Sequence, residues 1–262
     1  MRGKVITSTP RPGIFQITIT RPSRRNALDM SSFQELADAW SAFRSSDHRV
    51  AVVHGANGDF SSGADLASIS AEVGQANRQG GARQTWETIR AAVLRNADMD
   101  KPVIAAIEGI CYGGGFELAG GCDLRIAGES ARFAAPEVRH GVIASGGTLA
   151  RLPRQIPRAI AMQMLLTGQE IGPSRLHEIG YLNEIVPDGS ALKRALELAS
   201  VIASNSPAAI QATTRVVRRG QLCTLDAAYA IEAAAETRIM SGADAIEGAR
   251  AFKAKRRPSW VQ

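Results

Sequence analysis

The 262-residue chain has little that would specify a cofactor, a membrane or a nucleic acid. It carries no GxxxxGK[ST] phosphate loop, and Gly113-Gly114-Gly115 fails the GxGxxG dinucleotide pattern because Leu118 stands where the third glycine belongs. No GxSxG elbow is present either, since Ser62 and Ser145 lack the flanking glycine pair. The histidines His48, His54, His140 and His177 share no metal-ligand spacing; no metal is expected, and each reads as a surface or hydrogen-bonded core residue. Cys111, Cys122 and Cys223 are odd in number, without zinc or disulfide spacing, and read as reduced, small core residues. No apolar run approaches the ~18 residues of a membrane span, and Met1-Arg2-Gly3-Lys4 is not followed by a signal-peptide core. A cytoplasmic location without membrane contact is the expectation.

Aromatic residues are scarce, at 5%, and none interleave with basic residues as a base-stacking surface requires. The net charge of +6 favours anionic partners, yet the basic residues are scattered apart from clusters at 21–25, 215–219 and 253–257. A solvated basic surface is the plainer reading, and it argues against nucleic acid.

What the chain does have is concentrated between Lys101 and Asp123, KPVIAAIEGICYGGGFELAGGCD. Pro102 to Ile107 suits a strand buried on both faces. Gly113 to Gly115 then form a turn that only glycine makes so sharply with its N–H groups left open, and Phe116-Glu117-Leu118-Ala119 restarts a helix. Open N–H groups at a helix start favour developing negative charge, so the turn is a candidate oxyanion site. VAVVHG…FSSGADL is built the same way, from a buried strand, a small-residue turn and a helix start. Repeated units of this kind predict an α/β fold whose turns gather at one end of the strands.

Strands are expected at Val5 to Thr9, Ile14 to Thr20, Val50 to His54 and Leu124 to Ala127. Ser32 and Glu35 form a capping-box pattern at the head of an amphipathic helix. Ser70 to Gln84, rich in Gly, Gln, Asn and Arg, reads as a mobile loop bordering the site, with a helix from about Thr85 to Asn96. After Gly147 helices dominate, punctuated by Pro153, Pro157, Pro173, Pro187 and Pro207, with one strand at Tyr181 to Val186. This predicts a core at 1–195 and a helical oligomerisation region at 196–262.

Two acids stand out. Glu117 follows the glycines, and Glu137 follows Pro136 in FAAPE. A glutamate in a first helical turn complements the helix dipole, and either taken alone fits that role. Both, however, lie among Gly, Ala and Pro with few charged neighbours, where poor solvation raises a carboxyl pKa towards acid/base use. Two such acids beside an oxyanion site suit proton transfer around a carbonyl compound.

The phrases FSSGADL, IEGICYGGGFELAGGCDLRIA, FAAPEVRHGV, LARLPR, AMQMLLTGQ, IGYLNEIVP and DAIEGARAFKAKRRP, in this order and spacing, resemble the enoyl-CoA hydratase/isomerase (crotonase) family from about residue 5 onward. GGGFEL, RLPRQIP and the DAIEG tail look most like its hydratases and carnitinyl-CoA dehydratases. The resemblance implies a spiral of ββα units with a helical C-terminal trimerisation region, in homotrimers or hexamers built as dimers of trimers. It places the oxyanion N–H groups at Ala64 and Gly114, and the acid/base pair at Glu117, which would activate water for addition at C3, and Glu137, which would exchange the proton at C2. Arg24, Ala27, Leu28, Asp65, Leu66, Phe252 and Lys255 match substrate- or CoA-binding positions, the last two reaching a neighbouring subunit's CoA; Tyr112, directly before the glycines, is read as narrowing the acyl pocket or as packing, and Ser145 as a further substrate-pocket candidate. It implies no cofactor, coenzyme A entering as part of the acyl-CoA substrate. The chain departs where the family has Pro-Gly in the turn after Glu137 and Ala144-Ser145 stand instead. Hydration of a 2-enoyl-CoA is the expected activity. The alternatives are isomerisation, carnitinyl-CoA-type dehydration, or RNA or partner binding with vestigial catalysis.

Overall fold

The apolar run after Pro102 forms a strand with every residue buried, Val103–Ile107, and a parallel sheet is built outward from it. The computed structural model describes residues 3–78, 82–95 and 99–260. Its strands are β1 (Val5–Arg11), β2 (Ile14–Ile19), β3 (Val50–Gly55), β4 (Val103–Ile107), β5 (Ile110–Tyr112), β6 (Leu124–Gly128), β7 (Arg132–Ala134) and β8 (Glu184–Val186). Its helices begin with α1 (Met30–Ser45), α2 (Leu66–Arg78), α3 (Ala82–Ala92), α4 (Gly114–Gly121), α5 (Thr148–Gln155) and α6 (Arg158–Thr167). They continue with α7 (Pro173–Glu178), α8 (Ala191–Ala203), α9 (Pro207–Gly220), α10 (Leu225–Met240) and α11 (Ala243–Lys253).

Six strands pair in the order β1-β2-β3-β4-β6-β8, all parallel except the β1–β2 edge pair, and β5 and β7 form a separate parallel pair. This is the α/β architecture that the repeated strand–turn–helix units predict. The period of two along each strand divides the core. Ala51, Val53, Val103, Ala105 and Ile107 face the main core with Phe33, Leu36, Trp40 and Phe116, whereas Val50, Val52, Ile104 and Ala106 face α8. Ala191, Ala195 and Ala199 recur every fourth residue along α8, so its small side chains let the backbone lie close to the sheet. Each Val or Ile so covered contributes roughly 1.5–3 kcal/mol relative to exposure. Residue 195, the expected end of the core, lies inside α8.

Several local expectations are corrected. α1 starts three residues earlier than the capping box implies: Asp29 is its cap, accepting from Ser32 N at 3.0 Å. Glu35 instead accepts from Val5 N at 2.7 Å and ties α1 to β1. The segment read as a mobile loop is largely helical, since α2 and α3 cover 66–78 and 82–92; residues 79–81 lie outside the described residues. Its polar composition hides two helices, α2 held in the core by Ile69 and α3 by Ile89. Cys223 is exposed, unlike the buried Cys111 and Cys122. Among the described residues no helix is long and apolar enough to cross a membrane.

Candidate active site

The loops after β3 and β4 are stitched together by backbone. Ser61 N donates to Ile110 O and Tyr112 N to Ser61 O, each at 3.0 Å, so Ser61 lies beside Cys111 as a short parallel bridge. One residue pair further on the two turns touch. Gly63, at φ +92°, comes so near that a Cβ on it would stand 2.7 Å from Tyr112 O and 3.0 Å from Gly114 N. Gly113, at φ 49° and ψ −121°, reverses the chain into α4, a conformation that side chains oppose. A Cβ on Gly114 would lie 3.4 Å from Ala64 N. Ala64 and Gly114 are thus neighbours, and neither N–H has an acceptor among the described residues. Gly114 opens α4, so its N–H lacks an intrahelical partner and carries the positive end of the helix.

The two acids flank this turn. Glu117, in the first turn of α4, is buried, and its Oε1 accepts from Gly146 N at 2.6 Å. Burial, then the nearby Glu137 charge, pushes its carboxyl up to about 7, against the pull of the Gly146 N–H, Arg151 and Arg95. Glu137 stands in the single-turn helix Pro136–His140 after β7. Its Oε1 lies 3.5 Å from where a Gly113 Cβ would be, and its Oε2 is buried without a hydrogen-bond partner. Burial raises its pKa as well, partly offset by its own backbone N–H and by His140. Burial holds both carboxyls towards the protonated form, and the Glu137 charge adds to this at Glu117, which suits acid/base use.

The other sequence candidates divide. Leu28 is buried and bridges to Ala64, with Leu28 N donating to Gly63 O and Asp65 N to Leu28 O, both at 2.8 Å. Ala27, Arg24 and Leu66 adjoin the same loop; Ser62 Oγ donates to Arg24 O, and Leu66 is exposed at the start of α2. Asp65 is held by Arg21 at 2.9 Å. Ser145 joins the site through its backbone, as its carbonyl accepts from Arg95 Nη1 at 2.7 Å. Tyr112 sends its hydroxyl to Glu170 at 2.5 Å, which commits the side chain to the segment between α6 and α7. Phe252 and Lys255 lie at the end of α11, which packs on α10; Phe252 is 88% exposed, and neither joins the two acids within this chain.

Sequence reasoning missed Gly146, Arg95 and Arg151, which surround the Glu117 carboxyl. Arg151 lies in the LARLPR phrase, where nothing in its spacing marks it; Arg95 carries no local signal. A cavity of about 1040 Å³ lined by Arg44, His48, Arg49 and Lys101 lies at the opposite, amino ends of β2, β3 and β4. Two of its cations are spent on the protein itself: Lys101 donates to Phe43 O at 3.1 Å and Arg49 to Ala203 O at 2.9 Å. Among the described residues no group of three or more His, Cys, Asp or Glu is placed to hold a metal ion.

Comparison with known proteins identifies the family. The family model described as enoyl-CoA hydratase/isomerase matches residues 10–262. Enoyl-CoA hydratase EchA19 of Mycobacterium tuberculosis is 37% identical over 93% of this chain and 91% of its own length. Carnitinyl-CoA dehydratase of Proteus mirabilis is 33% identical over 96% of both chains. A crystal structure of enoyl-CoA hydratase from Mycobacterium tuberculosis H37Rv superposes with a TM-score of 0.89 at 34% identity, covering 99% of each chain. With its glycine turns adjoining, Glu117 buried in the helix they open and half-buried Glu137 beside them, the chain belongs to the enoyl-CoA hydratase/isomerase family of enzymes.

Proposed function

We propose that this enzyme is a hydro-lyase that adds water reversibly to a 2-enoyl-CoA, giving a 3-hydroxyacyl-CoA. The observation that carries the reading is the pair of acids beside the Gly113–Gly114 turn, buried Glu117 and half-buried Glu137. The thioester oxygen accepts from Ala64 N–H and Gly114 N–H. Ionised Glu117 takes a proton from water as its oxygen bonds to C3, and the C2–C3 π electrons move onto the thioester oxygen as an enolate. Protonated Glu137 then supplies the proton to C2, and the enolate collapses to the thioester. Dehydration runs the same steps backwards, so a carnitinyl-CoA-type dehydratase is the nearest alternative. The presence of two acids disfavours an isomerase that keeps one, and the intact site disfavours a purely RNA-binding role.

No cofactor enters this scheme, and a cytoplasmic location is part of the same proposal. A homotrimer, alone or paired into a hexamer, is supported by α10, which buries no residue within the chain. Leu222, Leu225, Tyr229 and Met240 are all more than half exposed on and around it, an apolar surface of the kind a partner subunit covers. The neighbouring subunit would bring Phe252 and Lys255 to the CoA. Hydration of crotonyl-CoA and longer 2-enoyl-CoAs by wild type, Glu117→Gln and Glu137→Gln tests the assignment. Loss of turnover in both variants is expected, and equal rates in all three would overturn it.

A further inference from the structure

The carboxyl end of α3 and the turn at 144–147 are joined through two arginines. A helix end leaves carbonyls without intrahelical partners, and side chains serve them here: Trp40 Nε1 donates to Ala92 O at 2.9 Å and Arg151 Nη2 to Val93 O at 3.2 Å. The same Arg151 nitrogen donates to Gly146 O at 2.8 Å. Arg95, just beyond α3, donates from Nη1 to Ser145 O at 2.7 Å. The peptide between Ser145 and Gly146 therefore takes a cation on its carbonyl and gives its N–H to Glu117 Oε1 at 2.6 Å. A guanidinium on the carbonyl polarises the peptide and strengthens the N–H as a donor. Absent side chains make the arrangement possible, since a Cβ on Gly121 or Gly147 would run into the Arg151 guanidinium and one on Gly146 into the Glu117 carboxyl.

We propose that Arg95 and Arg151 are positioning residues for the Glu117 carboxyl, acting through the Ser145–Gly146 peptide. The inference rests on the acid/base role proposed for Glu117. Arg151 fixes the turn from within, binding Val93 and Gly146 carbonyls with one nitrogen, while Arg95 loads the peptide whose N–H faces the acid. Both charges also oppose the burial and the Glu137 repulsion that raise the proton affinity of Glu117. The pair offers a physical role for the Ala144-Ser145 turn. It needs no proline or glycine at these positions because two side chains hold it, one from the segment just after α3 and one from α5.

Arg95 is exposed, so its removal spares the core. Arg95→Ala, Arg95→Lys and Glu117→Gln are compared with wild type on a 2-enoyl-CoA that wild type hydrates, with kcat and KM followed against pH. The amide proton of Gly146 is followed by NMR in each. For Arg95→Ala the expectation is a fall in kcat of about 10–100-fold, little change in KM or Tm, and an acid limb of the kcat profile displaced to higher pH. The Gly146 amide resonance should move upfield as its hydrogen bond lengthens, and Arg95→Lys should recover part of both. Wild-type kcat, acid limb and Gly146 resonance in Arg95→Ala, alongside inactive Glu117→Gln, would overturn the positioning role and leave the acid/base reading standing. Full activity in Glu117→Gln would remove the acid/base reading instead, and the Gly146 resonance alone would then decide whether the arginines hold the carboxyl.

Discussion

Gly146 N–H lies 2.6 Å from Glu117 Oε1, and the residue that donates cannot carry a side chain. A Cβ on Gly146 would meet the Glu117 carboxyl and stand 2.9 Å from Val93 Cγ2. Gly146→Ala should therefore displace the acid and overpack the turn, lowering stability by about 1–3 kcal/mol and kcat by about 100-fold. Thermal unfolding and steady-state kinetics measure the two effects; a variant with both intact would contradict the packing.

Stability should fall as pH rises through neutrality. The carboxyl of Glu117 is raised to about 7, burial being the larger cause, from an ordinary value of 4.5. Between those values the folded state keeps a proton that the unfolded state has released, so folding is favoured at the lower pH and the advantage is lost on going up through 7. The loss is on the order of 3 kcal/mol at most. Urea midpoints at pH 5 and pH 8 should drop more for wild type than for Glu117→Gln. Parallel changes in the two would place the acid in an ordinary environment. Activity runs the other way, with kcat climbing as Glu117 ionises.

At Gly63, φ +92° and the 2.7 Å approach to Tyr112 O leave no room for a methyl group. Gly63→Ala should separate the two turns and misplace the Ala64 and Gly114 N–H groups. The expected cost is about 10²–10³ in kcat, because these donors meet charge that develops only in the transition state. Unchanged kcat in a folded variant would remove the two N–H groups from the mechanism.

Tyr229 is 57% exposed on α10. If α10 faces a partner subunit, Tyr229→Glu buries a charge at that interface, and the assembly should dissociate or weaken. Sedimentation velocity reads the mass directly. A wild-type chain that sediments as a monomer would overturn the trimer.

The helix α4 and the strand β4 were legible because glycine and buried aliphatic runs act locally. A chain that must reverse at Gly113 with φ 49° selects glycine there whatever surrounds it. Glu117 and Glu137 were legible as candidates for a related reason, since each stands among small apolar residues. The helices at 66–78 and 82–92 were not, because their polar faces outweigh the few residues, Ile69 and Ile89, that fix them to the core. Tyr112 was read towards the acyl pocket, but Glu170, 58 residues away, takes its hydroxyl.

Sequence by itself determined the α/β class and the family, and marked the two acids as candidates, because periodicity, turn chemistry and motif order are written along the chain. Only the tertiary structure decided how acidic Glu117 is and what holds it. Its environment is assembled from Arg95 beyond α3, Glu137 in the 136–140 turn, and Gly146 and Arg151 at the head of α5. Burial and charge act through space with no fixed separation along the chain, so no spacing in the sequence announces them.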